Sequence, residues 1–192
     1  MAPQDAARPW VFDTRDLARR PGTMKTFSRV VPAPEPVGTE VIAIAPGQPV
    51  EVELRMESVV EGVLATGSAE STATGVCVRC LDVVDLEVDV RFQELFAYVD
   101  RAAHHHDVGV GQDDDDVHEL EGDLMDLEDV LRDAVVTALP FQPLCRDGCP
   151  GLCSECGARL ADDPDHQHDV IDPRWSVLAD LASPGPDNEK RN

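Results

Sequence analysis

Six cysteines are the residues of this chain whose type and spacing best suit chemistry. Two form a Cys-x-x-Cys pair far upstream and four follow within twelve residues near the C-terminal end: Cys77 and Cys80, then Cys145, Cys149, Cys153 and Cys156. A Cys-x-x-Cys pair places two thiolates about one tight turn apart, so both can reach one tetrahedral ion, with Zn–S distances of about 2.3 Å. The cysteines therefore predict structural zinc, with reduced, metal-free thiols as the alternative.

The expected compartment decides which cysteine chemistry applies. Residues 1–30 contain no secretory apolar region and no long apolar run occurs elsewhere, so neither export nor membrane insertion is expected. We therefore expect a cytoplasmic protein in a reducing environment, where paired cysteines seldom form disulfides. A thioredoxin-like redox pair needs a helix N-terminus within a βαβ pattern to lower a thiol pKa, and the sequence around Cys77 lacks that pattern.

Six thiolates are more than one zinc ion takes, and they fill two separate sites only by sharing or with help from the histidines of residues 165–169. Three ligand sets remain open. The first is the C-terminal run alone. The second joins the upstream pair to Cys153 and Cys156, and the third joins it to Cys145 and Cys149. We favour a site that includes Cys153 and Cys156, and we interpret the histidines as surface residues of a polar loop.

Charge restricts the kinds of partner. The chain holds 38 Asp and Glu against 16 Lys and Arg, a formal net charge of −22. Residues 1–30 contain six basic and three acidic side chains, whereas the other 162 residues contain ten and thirty-five. Because an acidic body repels phosphate at long range, this pattern disfavours nucleic-acid binding through the whole surface. It favours a basic protein partner, or RNA contact confined to the N-terminal arm.

The N-terminal arm mixes basic and aromatic side chains. Arginine pairs with phosphate and aromatic rings stack on bases, so the arm supplies the partner-binding candidates: Trp10, Arg15, Arg19 and Arg20. The alternative is that Trp10, Phe12 and Leu17 anchor the arm to the body of the protein.

Periodicity predicts the elements that position the cysteines. Residues 50–57 and 84–92 alternate apolar and charged side chains, which is typical of half-buried strands, and residues 63–74 are small and β-prone. Short connections predict an antiparallel meander with one solvated face, in which the upstream cysteine pair occupies a hairpin turn. Residues 31–49, rich in Pro, Gly and Ala, are interpreted as a linker.

An amphipathic helix is predicted from Asp123 to just before Pro140, with an apolar stripe that covers the open face of the sheet. Its acidic residues are interpreted as a solvated face. Residues 102–122 contain three adjacent histidines and four adjacent aspartates without apolar periodicity. They predict a solvated, disordered insertion without an assigned function.

The predicted fold class is α+β. It combines an antiparallel sheet meander packed by one amphipathic helix with a cysteine-rich, zinc-ribbon-like element at residues 141–160. We expect a basic arm at residues 1–30, a single domain at 31–182 and a disordered tail at 183–192.

Several motifs occur in an order that resembles a known family. A helix ending in Leu-Pro runs into the C-terminal cysteines, and residues 172–175 (Asp-Pro-Arg-Trp) follow before an apolar stretch. Residues 20–22 (Arg-Pro-Gly), the Cys77–Cys80 hairpin and residues 94–96 (Glu-Leu-Phe) complete the pattern. Over roughly residues 10–182 the chain resembles the YceD family, the large ribosomal RNA subunit accumulation proteins.

The resemblance implies a non-catalytic role in ribosome biogenesis, the accumulation or processing of large-subunit (23S) rRNA. The expected partner is the rRNA precursor or a basic large-subunit ribosomal protein. We expect no enzyme and no small-molecule substrate, since the sequence shows no phosphate-binding glycine loop, nucleophile elbow or paired acid and base. The alternative is a zinc- or thiol-dependent regulatory binding module. An rRNA hydrolase would need a carboxylate or histidine cluster beside the arm, which the sequence lacks.

Overall fold

The computed structural model of the chain describes residues 8–100, 118–168 and 174. The elements in chain order are β1 (Val11–Asp13), a 3₁₀ turn (Arg15–Leu17), β2 (Met24–Pro32), β3 (Val37–Gly38), β4 (Ile42–Ile44), β5 (Pro49–Ser58), β6 (Gly62–Val76), β7 (Val83–Ala97), β8 (Leu124–Asp126) and α1 (Glu128–Ala138).

The chain divides into two compact units, Met1–Cys149 and Pro150–Asn192. The arm at residues 1–30 and the single domain at residues 31–182 stay predictions. Within the described ranges, no helix is long and apolar enough to cross a membrane.

The main sheet is antiparallel and is built around β6, which is 15 residues long. One edge of β6 pairs with β5 and, further along, with β4, while the other edge pairs with β7 along its whole length. β2 lies outside β5, and β3 lies outside β4. β1 and β8 form a separate two-stranded sheet. The predicted antiparallel sheet with one helix is therefore confirmed.

Alternation along β5 explains which face of the sheet is covered. Its buried residues Val50, Val52, Leu54 and Met56 alternate with charged ones, as the sequence predicts. Small residues of β6 lie directly opposite the larger apolar residues of β5, as in the pair Leu54 and Gly67. A side chain at Gly67 would meet the carbonyl oxygen of Glu53 at 2.4 Å. Glycine is therefore required where β5, β6 and the ring of Phe92 approach closely.

Helix α1 covers the apolar face, but it begins later than predicted. Leu124–Asp126 form β8, and the helix starts at Glu128. Met125 is 0% exposed and lies opposite Phe12 of β1, so pairing with the arm outweighs helix propensity there. The carboxylate of Asp126 accepts the backbone N–H of Glu128 at 3.0 Å and ends the strand. Val130, Leu131 and Val135 then form the buried stripe, and α1 packs against β7 and β3.

Two predicted irregular segments are partly ordered. The predicted linker at 31–49 contains β3 and β4, because Ile42 and Ile44 are each 1% exposed and extend the core. The predicted insertion lies outside the described residues up to residue 117. The last residues of the predicted insertion, from residue 118 onward, are ordered: the N–H of Leu120 donates to the carbonyl of Ala97 at 3.0 Å, and Leu120 is 2% exposed. The predicted tail at 183–192 lies outside the described residues.

Candidate metal centres

The first cysteine pair occupies the turn between β6 and β7, as predicted. The N–H of Cys77 donates to the carbonyl of Asp82 at 2.8 Å, and the N–H of Leu81 donates to the carbonyl of Cys77 at 2.9 Å. Leu81 closes the turn in the left-handed region, with φ at 62°. These bonds fold residues 77–82 into a tight knuckle that carries both thiols of the pair.

The segment after α1 supplies two more thiols to this knuckle. The N–H of Val78 donates to the carbonyl of Pro143 at 3.0 Å, and the guanidinium of Arg79 donates to the carbonyl of Cys149 at 2.9 Å. Both bonds tie the knuckle to the segment 143–149. They place Cys145 and Cys149 beside the upstream pair although more than sixty residues separate them in sequence.

The sulfur positions fit a single ion. The Sγ atoms of Cys80 and Cys145 lie 3.5 Å apart and those of Cys77 and Cys149 lie 3.9 Å apart. All four sulfurs lie within 4.8 Å of one another. Four thiolates at about 2.3 Å from one tetrahedral ion stand about 3.8 Å apart. We call Cys77, Cys80, Cys145 and Cys149 the four-cysteine group, and it is the third of the ligand sets that the sequence left open.

Burial and hydrogen bonding set the charge state of these thiols. Cys77, Cys80 and Cys149 are 0%, 8% and 2% exposed, with Val84 and Leu144 packed against them. Backbone N–H groups, first that of Cys80, lower the pKa of Cys77 to about 6 despite burial. The N–H of Asp82 lowers the pKa of Cys80, but burial and the neighbouring thiols outweigh it and raise that pKa to about 12.

Four thiols this close cannot all ionise without a cation between them, because each thiolate opposes the next. A divalent ion removes that repulsion and deprotonates its ligands. The four-cysteine group therefore has the donor number, the spacing and the electrostatic need for one metal ion.

The second Cys-x-x-Cys pair folds into the same kind of knuckle. The N–H of Cys153 donates to the carbonyl of Ala158 at 2.8 Å, and the N–H of Gly157 donates to the carbonyl of Cys153 at 2.9 Å. Gly157, with φ at 73°, stands where Leu81 stands in the first knuckle. Backbone N–H groups, first that of Cys156, lower the pKa of Cys153 to about 6.

Two histidines complete this second group, which differs from the expectation that they are ordinary surface residues. His166 Nε2 and His168 Nε2 each lie 3.2 Å from Cys156 Sγ and 2.8 Å from one another. With Cys153 they form four donor atoms within 4.8 Å of one another, which we call the Cys–His group. The available sequence signal was a His-x-His pair ten residues after a Cys-x-x-Cys knuckle.

The partner-binding candidates of the arm lie in different environments. Trp10 is 4% exposed and packs in the core with Phe12 and Leu17, so its ring is not presented at the surface. This burial supports the anchoring alternative for Trp10, and its role in partner contact stays a prediction. The three arginines are exposed. Arg15 pairs with the Asp13 carboxylate, and the guanidinium of Arg19 lies 4.7 Å from the centroid of the Tyr98 ring.

Comparison with known proteins identifies the family. The family model described as "Large ribosomal RNA subunit accumulation protein YceD" matches residues 65–182, which include every member of both candidate metal groups. The chain belongs to the YceD family. The family description names an accumulation protein, so family membership implies a role in accumulation of the large ribosomal subunit rRNA.

Relatives of this chain from three mycobacterial species are described only as uncharacterized proteins. Uncharacterized proteins of Mycobacterium tuberculosis and Mycobacterium bovis are 42% identical to it over 186 residues, covering 97% of this chain and 87% of each relative. An uncharacterized protein of Mycobacterium leprae is 42% identical over 176 residues, covering 92% and 79%. No solved structure gives a significant match.

Proposed function

We propose that this protein is a non-catalytic ribosome biogenesis factor of the cytoplasm that supports accumulation or processing of large-subunit rRNA. The observation that carries the proposal is the family match over residues 65–182. The side chains with distinctive chemistry form two groups that could hold a metal ion and an acidic surface, which supports a binding protein.

In this proposal the four-cysteine group holds structural zinc. A donor set of four thiolates suits zinc, which accepts sulfur ligands in a closed tetrahedral site. One ion there would join the β6–β7 hairpin to the segment after α1 in a ribbon-like element. Burial of Cys77 and Cys149 supports this structural role over the alternative of a thiol sensor, since sensing thiols need access to the oxidant.

An exposed row of acidic side chains on the sheet supports a basic protein as the direct partner. Glu51 of β5, Glu70 of β6 and Asp89 of β7 lie directly opposite one another across three adjacent strands, and all three are exposed. We call them the acidic row. Like charges in directly opposed positions destabilise a sheet. A cationic ligand would relieve this repulsion, and the field of the acidic body would raise its association rate. The same field would repel rRNA phosphate.

Depletion of the protein tests the ribosomal role. We expect fewer large-subunit particles and more large-subunit rRNA precursor after depletion, measured by gradient sedimentation and by precursor-specific hybridisation. Proteins and RNA that copurify with the tagged chain identify the partner class. Unchanged particles and precursors would remove the ribosomal assignment, and copurification of precursor RNA alone would make RNA the direct partner.

Neutralising the acidic row should weaken the protein partner's binding. For E51Q/E70Q/D89N we expect affinity for basic large-subunit ribosomal proteins to fall about tenfold at low salt, because three charges each contribute roughly 0.2–1 kcal/mol. Thermal stability should rise slightly as the repulsion is removed.

The matched control for this triple variant is E40Q/D129N/D133N, which removes the same charge from exposed positions away from the row. Surface plasmon resonance at two salt concentrations compares the two variants with the wild type. Equal losses in both variants would show that only total charge matters, and an unchanged affinity in the first would refute the acidic row as the contact.

A further inference from the structure

The described part of the second unit has almost no apolar core. The buried hydrophobic side chains lie between Trp10 and Cys149, and none belongs to residues 150–168. Short backbone contacts remain, such as the bridge between Leu152 and Arg159 and the bond from the N–H of Leu160 to the carbonyl of Gly151 at 3.1 Å. A segment of this size does not gain enough from such contacts to fold, so natural examples add a staple such as a metal ion.

The Cys–His group has the geometry of such a staple. The knuckle fixes Cys153 and Cys156 by the same two backbone bonds that shape the first knuckle. Both histidines turn their Nε2 atoms toward the same thiol, at 3.2 Å from Cys156 Sγ. Two ring nitrogens and two sulfurs this close together have few hydrogens to share, whereas a single cation satisfies all four electron-pair donors.

An acidic side chain faces the far side of one imidazole. The Nδ1 atom of His166 lies 3.7 Å from a carboxylate oxygen of Asp163. Metal-bound histidines commonly direct the second ring nitrogen to a carboxylate, which favours the tautomer that leaves Nε2 for the metal. The ring of His166 therefore has Cys156 beside Nε2 and Asp163 beside Nδ1, and both neighbours favour the same ring orientation.

We infer that the Cys–His group binds a zinc ion of its own and that residues 150–168 fold upon it. Two thiolates and two imidazoles are a donor set that zinc takes in structural sites. Where a site forms only in the folded state, the free energy of metal binding is also the free energy of folding. The chain would then carry two zinc ions in different environments, one with four sulfur donors and one with two. This inference does not depend on the ribosomal role.

Metal content and ligand type test the second site in the whole 192-residue chain. The wild type, purified reduced, should contain two zinc ions. X-ray absorption should give an average of three sulfur and one nitrogen ligand per zinc, since six thiolates and two imidazoles are shared between two ions. H166A/H168A should contain one zinc with sulfur ligands only. The control Q167A, which changes the residue between the two histidines, should keep both ions.

Amide hydrogen exchange tests the coupled folding. With zinc bound, the hydrogen-bonded amides of Cys153 and Gly157 should be protected, and H166A/H168A should lose this protection while the amides of β5, β6 and β7 keep theirs. One zinc with sulfur ligands only in the wild type would overturn the second site, as would two ions in H166A/H168A. Protection of residues 150–168 that persists after loss of the second ion would overturn the folding claim.

Discussion

C77S/C80S is expected to remove the zinc ion that we propose for the four-cysteine group and to destabilise the Met1–Cys149 unit by roughly 5 kcal/mol. Structural zinc contributes about 10–16 kcal/mol of apparent binding free energy in small zinc modules. Only part of that free energy is coupled to folding here, because the fifteen residue pairs between β6 and β7 stabilise the hairpin by their own hydrogen bonds and packing. That part is still large against the roughly 5–15 kcal/mol that stabilises a typical domain.

The measurements for this variant are zinc content and chemical unfolding monitored by circular dichroism. V78S is the matched control, because it introduces serine into the same knuckle at a position that is 40% exposed and offers no ligand. V78S should keep its zinc and lose little stability. A C77S/C80S protein with wild-type zinc content and an unchanged unfolding midpoint would contradict a structural ion at this group.

The sheet could be predicted from the sequence because its signal is local. Alternation along Val50–Met56 reports a half-buried strand wherever the partner strands lie. The start of α1 could not be predicted in the same way. Leu124 and Leu127 fit a helical stripe, but the strand pairing of Met125 with Phe12 joins positions more than one hundred residues apart. Tertiary pairing of that kind leaves no periodicity in the sequence.

The grouping of the cysteines shows the same limit. Spacing alone makes Cys145 and Cys149 equally good partners for the downstream pair and for the upstream pair. Which pair they join depends on the position of the segment that follows α1, and this position is fixed in part by the hydrogen bond from the N–H of Val78 to the carbonyl of Pro143. The grouping of His166 with Cys156 depends instead on a loop with little apolar content, for which the sequence gives no folding signal.

W10A is expected to destabilise the Met1–Cys149 unit by about 3–5 kcal/mol, the usual cost of removing a large buried aromatic side chain. The indole lines a narrow cavity beneath α1 together with Ile44, Leu131 and Val135, so its loss leaves a void between helix and sheet. The carbonyl of Trp10 also accepts the N–H of Leu127 at 3.1 Å, which joins the arm to the start of the helix. Thermal unfolding measures the loss.

R20A provides the comparison, because Arg20 is exposed on the same arm and its removal should leave stability within about 0.5 kcal/mol of the wild type. Partner binding, measured below the unfolding temperature of both variants, separates anchoring from contact. If Trp10 only anchors the arm, W10A should bind the partner with near wild-type affinity once folded. A W10A protein of normal stability that fails to bind would instead make Trp10 a contact residue, exposed by a movement of the arm.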